Sequence, residues 1–365
     1  MPLNNSAVGN LERLFGKHLQ YARRYPYILP RVAGNYFRLI FLRQKVLRGV
    51  EFALTYDCNC QCGHCSASKL RDTTRPLLGM DVIEKALQDC IRLGVLNINL
   101  TGGEILLRKD LDQLVKAARP SRTVVSVATN GILFDRLIAL NLKRLGVRIV
   151  TISLDSADPG VHDRSRGYNG CFQKVFEAVD HARAADLEVF LCTIMTPANL
   201  KNGDIYRMVE LAQQKGLTIT VNVSCAVGGW TTNKEVLLDE KDLASFDRIV
   251  SLPHVRWEGG SNYLKEGCPA GVEKLYISPY GDVMPCNFAH VSFGNVSEES
   301  LLDIWKRMIS TSPFNQIHHR CLVGANTAFI KEVMAPLECS QRLPLSYKDH
   351  PAFAQDAARN AEKSY

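Results

Sequence analysis

The chain has 365 residues, 46% of them hydrophobic and 22% charged, which suits one large buried core with an appendage rather than a disordered or fibrous chain. No run of eighteen apolar residues occurs, and no charged n-region, apolar h-region and cleavage site open the sequence, so a spanning helix is excluded and no secretion signal is recognisable. The twelve cysteines are therefore expected in a reducing compartment, the cytoplasm, and in metal chemistry more than in disulfides.

The net charge of +7 belongs to one end. Residues 1–49 are a basic, aromatic-rich segment: Arg13, Lys17, Arg23, Arg24, Arg31, Arg38, Arg43, Lys45 and Arg48 face a single acid, Glu12, and the rest of the chain is close to neutral. Interleaved with them are Tyr21, Tyr25, Tyr27, Ile28, Leu29, Tyr36, Phe37, Leu39, Ile40, Phe41 and Leu42. Such a segment can lie on an anionic membrane surface, making a cytoplasmic protein peripheral at the membrane, or bind an acidic partner. It can equally be an ordinary helix pair packed on the body, its Arg and Lys stems reaching outward. No nucleic-acid partner is expected.

Beyond it, short apolar runs at 51–56, 95–100, 123–128, 148–154, 188–194 and 218–223 alternate with helical patterns at 81–93, 111–118, 133–145, 172–185 and 205–215. Six β–α units over 50–236 argue for an α/β fold with a parallel sheet, open or barrel-like. In such folds the site is built on loops at the strands' C-terminal ends. Every unusual polar cluster of this sequence falls there.

Strand one is followed by Cys58-Asn59-Cys60-Gln61-Cys62-Gly63-His64-Cys65. Read as C-x3-C-x2-C, Cys58, Cys62 and Cys65 suit three irons of one cubane and leave the fourth iron open. A zinc knuckle or buried free thiols are the rival readings, but the second C-x2-C arm usual in zinc sites is missing; Cys60 is left over. Thr101-Gly102-Gly103-Glu104 follows strand two; the glycines let backbone approach a ligand and Glu104 can accept from an ammonium group, although Gly-Gly is also a common turn. Asn130-Gly131 after strand three is turn or site. Ser153 and Asp155 at the end of strand four suit ribose hydroxyls or a helix cap, and Arg166 in the basic stretch 162–167 is a ligand group or a surface charge.

From 237 to 345 the alternation fades. An apolar run at 274–278, a Gly281-Asp282 turn and Val283-Met284 read as a β-hairpin. Cys268, Cys286 and Cys321, with Cys339 as a plausible fourth, are metal ligands only by the family resemblance given below; open coordination by substrate or another residue is the alternative to Cys339, and free buried thiols are the rival reading. Residues 346–365 form a tail. Cys90, Cys171 and Cys192 fall within helices or a strand as packing residues. Cys225, at the rim after strand six, is the one candidate for facing the substrate and for a catalytic role.

The cysteine spacing followed by Thr101-Gly102-Gly103-Glu104 resembles the radical S-adenosylmethionine (radical SAM) superfamily, over roughly residues 50 to 225. The resemblance implies a partial (β/α)6 TIM-like barrel, open on one side. It implies a [4Fe-4S] cluster on Cys58, Cys62 and Cys65 that chelates S-adenosyl-L-methionine, with His64, Gly102, Gly103, Glu104, Asn130, Ser153, Asp155 and Arg166 around that cofactor. The spacing from Cys268 through Gly281 to Cys286, with Phe293-Gly294-Asn295-Val296 beyond, resembles the SPASM and twitch extensions, small α+β units that bind auxiliary iron-sulfur clusters. The dense C-x2-C-x5-C-x3-C array of a full SPASM domain is missing, so one auxiliary [4Fe-4S] cluster is expected.

By the same resemblance, a flavodoxin- or ferredoxin-type reductant would drive cleavage of S-adenosylmethionine to a 5'-deoxyadenosyl radical. That radical would abstract hydrogen from a peptide or a small natural-product or lipid-linked substrate. The alternative is a non-enzymic iron-sulfur or zinc protein for electron transfer or scaffolding.

Overall fold

The computed structural model describes residues 5–354, and side chains from residue 15 onward; the side chains of Glu12 and Arg13 in the basic segment, and the tail beyond 354, lie outside what is described. Six strands alternate with helices as the apolar runs predict: β1 (Gly49–Ala53), β2 (Asn97–Thr101), β3 (Val124–Thr129), β4 (Ile149–Ser153), β5 (Glu188–Met195) and β6 (Thr218–Val223). They are followed by β7 (Val255–Arg256), β8 (Lys274–Ile277) and β9 (Val283–Met284). All nine belong to one sheet in the order β7-β6-β5-β4-β3-β2-β1-β8-β9. Every pairing is parallel except β8 with β9, where Tyr276 faces Met284 and Ile277 faces Val283, the hairpin expected at 274–284. The two edges are β7 and β9, so the fold is an α/β partial barrel left open.

The strands' pattern decides where the cavity lies. Along β2, Ile98 and Leu100 are buried while Asn97, Asn99 and Thr101 are half-exposed; since successive side chains point to opposite faces, one face packs and the other lines an interior. The apolar face meets helices α3 (Met80–Arg92), α4 (Leu111–Ala117), α5 (Arg136–Leu145), α7 (Cys171–Ala184) and α9 (Asp204–Gln214). Helix α3 buries Ile83, Ala86, Leu87 and Cys90, the i, i+3, i+4, i+7 stripe of an amphipathic helix. Helix α5 starts where the Asp135 carboxylate accepts from Ile138 N at 2.8 Å and ends at Gly146 with φ 94°.

Helix α6 (Pro159–Arg166), inside the stretch read only as basic, has Asp158 as cap, Pro159 in its first turn and Gly167 in the left-handed region at its end. Those start and stop signals were present, but with His162 its one buried residue the helix has no apolar stripe to betray it. Helix α8 is the short turn Pro197–Lys201.

The N-terminal segment forms α1 (Asn5–Arg24) and α2 (Leu29–Ile40), packed on the end of the barrel opposite the cysteine loop. Ala22, Tyr25, Ile28, Val32 and Tyr36 are buried with Leu96, Val124 and Ile149 at the strands' N-terminal ends. Arg31 donates to the carbonyls of Val95 and Arg122 at 3.0 and 2.5 Å, and Arg24 pairs with Glu188 at 2.7 Å. The segment is thus a plug, and most of its tyrosines serve packing. Among the described residues no helix is long and apolar enough to cross a membrane.

Candidate active site

The Cys58–Cys65 loop leaves β1 and lies across the open end of the barrel, where three glycine-bearing segments hold it. A side chain at Gly102 would collide with the Thr55 carbonyl and one at Gly103 with that of Asp57. Backbone replaces it: Gly103 N donates to Thr55 O and Glu104 N to Asp57 O, both at 2.8 Å. On the second side Gln61 N donates to Arg166 O at 2.9 Å. On the third, side chains at Gly228 and Gly229 would strike the carbonyls of Cys65 and Gly63, and Gly229 N donates to Cys65 O at 3.0 Å. Gly228-Gly229-Trp230 was not singled out in the sequence, although a Gly-Gly pair just past a strand end was the same signal that marked Gly102-Gly103. The Trp230 ring stands 5.4 Å from that of His64.

The thiols of Cys58, Cys62 and Cys65 meet N–H donors. Cys60 N lies 3.4 Å from Cys58 Sγ, Asn130 Nδ2 3.9 Å from it, and Arg166 Nη1 3.8 Å from Cys62 Sγ. Hydrogen bonding from Cys60 pulls the Cys58 thiol down to about 6, and the Cys62 thiol is lowered by Cys60 in the same way; burial pushes Cys65 up. Cys60 therefore faces its neighbours and Cys171, not open solvent. Among the described residues no three His, Cys, Asp or Glu side chains close in as a single ion would require. A cubane takes each thiolate on a different iron and suits a wider donor set.

Beside Cys62 runs a buried polar network. Arg166 pairs with Asp155 at 2.6 Å, Ser165 Oγ donates to Asp155 at 2.8 Å, and His64 Nε2 is 3.5 Å from the same carboxylate. Burial alone would raise Asp155, but Arg166 and His64 hold it below the usual carboxylate range. Asp155 is therefore committed to protein partners before any ribose. Arg166 Nε is buried with no partner; an unspent cationic donor beside a thiol triad fits a ligand that carries a carboxylate.

Glu104, expected as an ammonium acceptor, already has protein donors. It is wholly buried, and its oxygens accept from Thr129 Oγ1 at 2.9 and 3.0 Å, Asn130 N at 2.8 Å and Leu106 N at 3.1 Å. It braces the end of β2 against the end of β3, and burial raises its carboxyl to about 7. Asn130 likewise ties the cysteine loop, donating to Asn59 at 2.7 Å while accepting from Ile132 N at 2.9 Å. Gly102 and Ser153 do line the interior.

That interior is a cavity of about 980 Å3 running from Ser66 and Gly102 at the cysteine loop to Lys17 and His18 at the plug. Its wall is mixed: Glu51, Asn99, Asn222, Arg256, Glu258 and Lys274 bring charge and amide groups, beside apolar Phe190, Trp257 and Phe288. Lys274 lies 3.0 Å from Glu51 and 3.3 Å from Glu258. Cys192, expected to be a packing residue, lines this cavity and accepts from Asn222 Nδ2 at 3.4 Å.

In the C-terminal part, the structure gathers Cys268, Cys286 and Cys321. Cys268 is buried in the core against which Cys286 and Cys321 pack, near enough to interact with both. Gly324 N points at Cys321 Sγ from 3.4 Å, and the backbone amides of Leu322 and Ala270 lie near Cys268 and those of Phe288 and Ala289 near Cys286. Such a cradle fits thiolates bound to a cluster. Cys225 lies beside them instead of lining the cavity, 3.1 Å from where a side chain on Gly324 would stand, whereas Cys339 is exposed.

Comparison with known proteins accords with this geometry. The radical SAM superfamily matches residues 52–212, and the SPASM iron-sulfur cluster-binding domain matches 268–323. The AdoMet-dependent heme synthase of Methanosarcina barkeri is 26% identical over 71% of this chain and 82% of its own length. The PqqA peptide cyclase of Ruegeria pomeroyi is 29% identical over 69% of this chain and 72% of its own. Among solved structures, Streptococcus suis SuiB bound to its precursor peptide SuiA superposes with a TM-score of 0.60 at 19% identity, over 80% of this chain and 69% of that one. The anSMEcpe structure with bound AdoMet gives 0.54 at 15% identity, over 87% and 96%; both likenesses speak to the fold. The chain carries a radical SAM domain followed by a SPASM domain: it is an enzyme that uses S-adenosylmethionine and a [4Fe-4S] cluster, with the SPASM domain for an auxiliary cluster.

Proposed function

We propose that this enzyme abstracts a hydrogen atom from a peptide seated in the barrel cavity. The observation that carries the reading is the cavity wall, where Lys274 between Glu51 and Glu258, with Arg256, Asn99 and Asn222, offers both signs of charge and amide groups to a polar chain. The apolar share of the wall, Phe190, Trp257 and Phe288 among it, can receive the side chains of the same chain. PqqA peptide cyclases among the relatives and a peptide-bound SuiB among the structural neighbours support the same substrate class.

The bound cluster and S-adenosylmethionine supply the one-electron chemistry and the hydrogen-abstracting radical. The chain's own residues then have distinct tasks. Cys58, Cys62 and Cys65 hold the cluster. Arg166 holds a carboxylate, with Asp155 and Ser165 fixing its guanidinium. Glu104 stays buried and stiffens the rim, and Trp230 with His64 covers the loop against water.

The test is 5'-deoxyadenosine release by anaerobically reconstituted enzyme with dithionite, or with a flavodoxin as reductant, in the presence of peptide, tetrapyrrole and small-molecule panels. Several-fold stimulation by peptides with a mass change in the peptide supports the reading. Stimulation by a non-peptide panel alone overturns it, and no release in any arm would restore the non-enzymic alternative.

A second reading concerns the N-terminal plug, which we propose also touches a membrane surface. Its outer side presents Phe37, Ile40, Phe41 and Leu42 to solvent beside Arg38 and Arg43, an apolar spot with a basic rim.

A further inference from the structure

We infer that Cys225 supplies the fourth thiolate of the auxiliary cluster and that Cys339 does not. The inference rests on the presence of that cluster and is independent of the substrate.

Gly324 lies against the end of β6. A side chain there would lie 2.5 Å from Ser224 O, 2.7 Å from Val223 Cγ1 and 3.1 Å from Cys225 Sγ. The short turn that begins at Cys321 is therefore pressed onto the end of β6, which only a glycine permits. Gly324 N in turn lies 3.4 Å from Cys321 Sγ, so one residue touches both sulfurs. Cys225 and Cys268 belong to one buried core, and Cys286 and Cys321 pack against it, with Cys268 near enough to both for their sulfurs to interact. The resulting group has four sulfurs, the number that closes a cubane.

Backbone N–H groups lie near each of the other three thiols, whereas the Cys225 thiol donates to Val223 O at 3.6 Å. That proton is the one to leave when the sulfur binds iron. Cys225 is buried, with 4% of its surface exposed, while Cys339 is solvent-exposed after the turn Ala335–Glu338, whose Glu338 pairs with Lys234.

The assignment has a structural consequence. Cys225 opens a loop whose Gly229 donates to Cys65 O, so one loop of the barrel rim touches both cysteine groups. The auxiliary cluster is then anchored to the barrel itself, and the C-terminal extension supplies three ligands, not four.

The experiment uses the Cys58/Cys62/Cys65→Ala chain, which retains only the auxiliary site. Anaerobic reconstitution should give about four irons per chain and the EPR signal of a reduced [4Fe-4S] cluster. Adding Cys225→Ser should at least halve the iron or shift the EPR spectrum, and adding Cys339→Ser should change neither. Parent-like iron and spectrum in the Cys225→Ser chain overturn the inference, as does loss of iron in the Cys339→Ser chain. A parent chain without iron removes the auxiliary cluster altogether and the inference with it.

Wild-type protein guards against misfolding of the variants. Alkylation before and after native removal of iron, mapped by mass spectrometry, should release Cys225 together with Cys268, Cys286 and Cys321, with Cys339 labelled throughout. Cys90, fully buried in α3, reports loss of fold by becoming labelled. Cys225 labelled in the iron-loaded protein, or remaining unlabelled when the other three are released, would refute the assignment.

Discussion

The two cysteine groups of this molecule are assembled in opposite ways. Cys58, Cys62 and Cys65 lie on one loop, so the chain itself brings their sulfurs near one another and the fold has only to orient and cover them. The C-terminal group draws Cys268, Cys286 and Cys321 from separate turns and meets Cys225 at the end of β6. There proximity comes from tertiary packing, and loop-closure entropy must be offset by the contacts that hold the segments together. What the two share is the clamp: glycines at which a side chain would strike a carbonyl oxygen.

The clamps therefore offer the sharpest way to break the comparison. Gly229→Ala puts a methyl against Gly63 O, and Gly324→Ala puts one 2.5 Å from Ser224 O; each should cost about 1–3 kcal/mol locally. Gly229→Ala is expected to abolish 5'-deoxyadenosine release and lower the iron of the first cluster, leaving the auxiliary EPR signal in place. Gly324→Ala should do the reverse to the iron, reducing auxiliary loading while the first cluster remains. If either variant depletes both clusters equally, the two sites are not independently clamped and the contrast fails.

Arg166→Gln tests orientation with the thiols untouched. It leaves Asp155 buried without its nearest cation, a change that costs about 3–5 kcal/mol when a buried pair is broken, and it removes the buried, unpartnered Nε beside the cysteine loop. Affinity for S-adenosylmethionine, followed by equilibrium dialysis on iron-loaded protein, should fall at least tenfold. Unchanged affinity with lowered thermal stability would make Arg166 purely structural. Thr129→Val removes a hydroxyl that bonds both Glu104 oxygens. A destabilisation of about 1–2 kcal/mol, with that affinity within twofold of wild type, would fit a brace; loss of affinity alone would return Glu104 to the ligand.

These contrasts also explain what the sequence disclosed. The cysteine loop was legible because its ligands share one short spacing, and the six strands because apolar runs between turn signals survive at single-sequence level; β6 is found at the residues expected, and β1 lies about two residues earlier. Cys225 was noticed only as a rim residue, since nothing in its neighbourhood in sequence announces partners that lie near 268, 286 and 321. The polar interior was written in the strands as Asn97, Asn99, Ser126, Thr151, Thr220 and Asn222, alternating with apolar residues. It went unread because attention to the strand ends passed over the strand faces. Glu104 shows the remaining gap: a motif fixes a residue's place, but whether its carboxylate faces a ligand or a neighbouring loop is decided by Thr129 and Asn130 from another strand.

The smallest effect on stability should come from the plug's outer face, and it separates that face from both cysteine groups. The rings of Phe37 and Phe41 stand 5.3 Å apart on the surface, tilted by 31°, and Phe41 is 71% exposed, so replacing both by Ser removes little buried area and should shift stability by no more than about 0.5 kcal/mol. Iron content and cofactor cleavage should be unchanged. Cosedimentation with vesicles containing anionic phosphatidylserine should nevertheless fall several-fold, since these rings are the part of the face able to enter the headgroup boundary. Arg38→Gln with Arg43→Gln should weaken it further and flatten its dependence on salt, because screening acts on the basic rim and not on the rings. If the Phe37/Phe41→Ser chain binds vesicles as wild type does, the face has no membrane role, and the N-terminal pair is a plug for the barrel and nothing more.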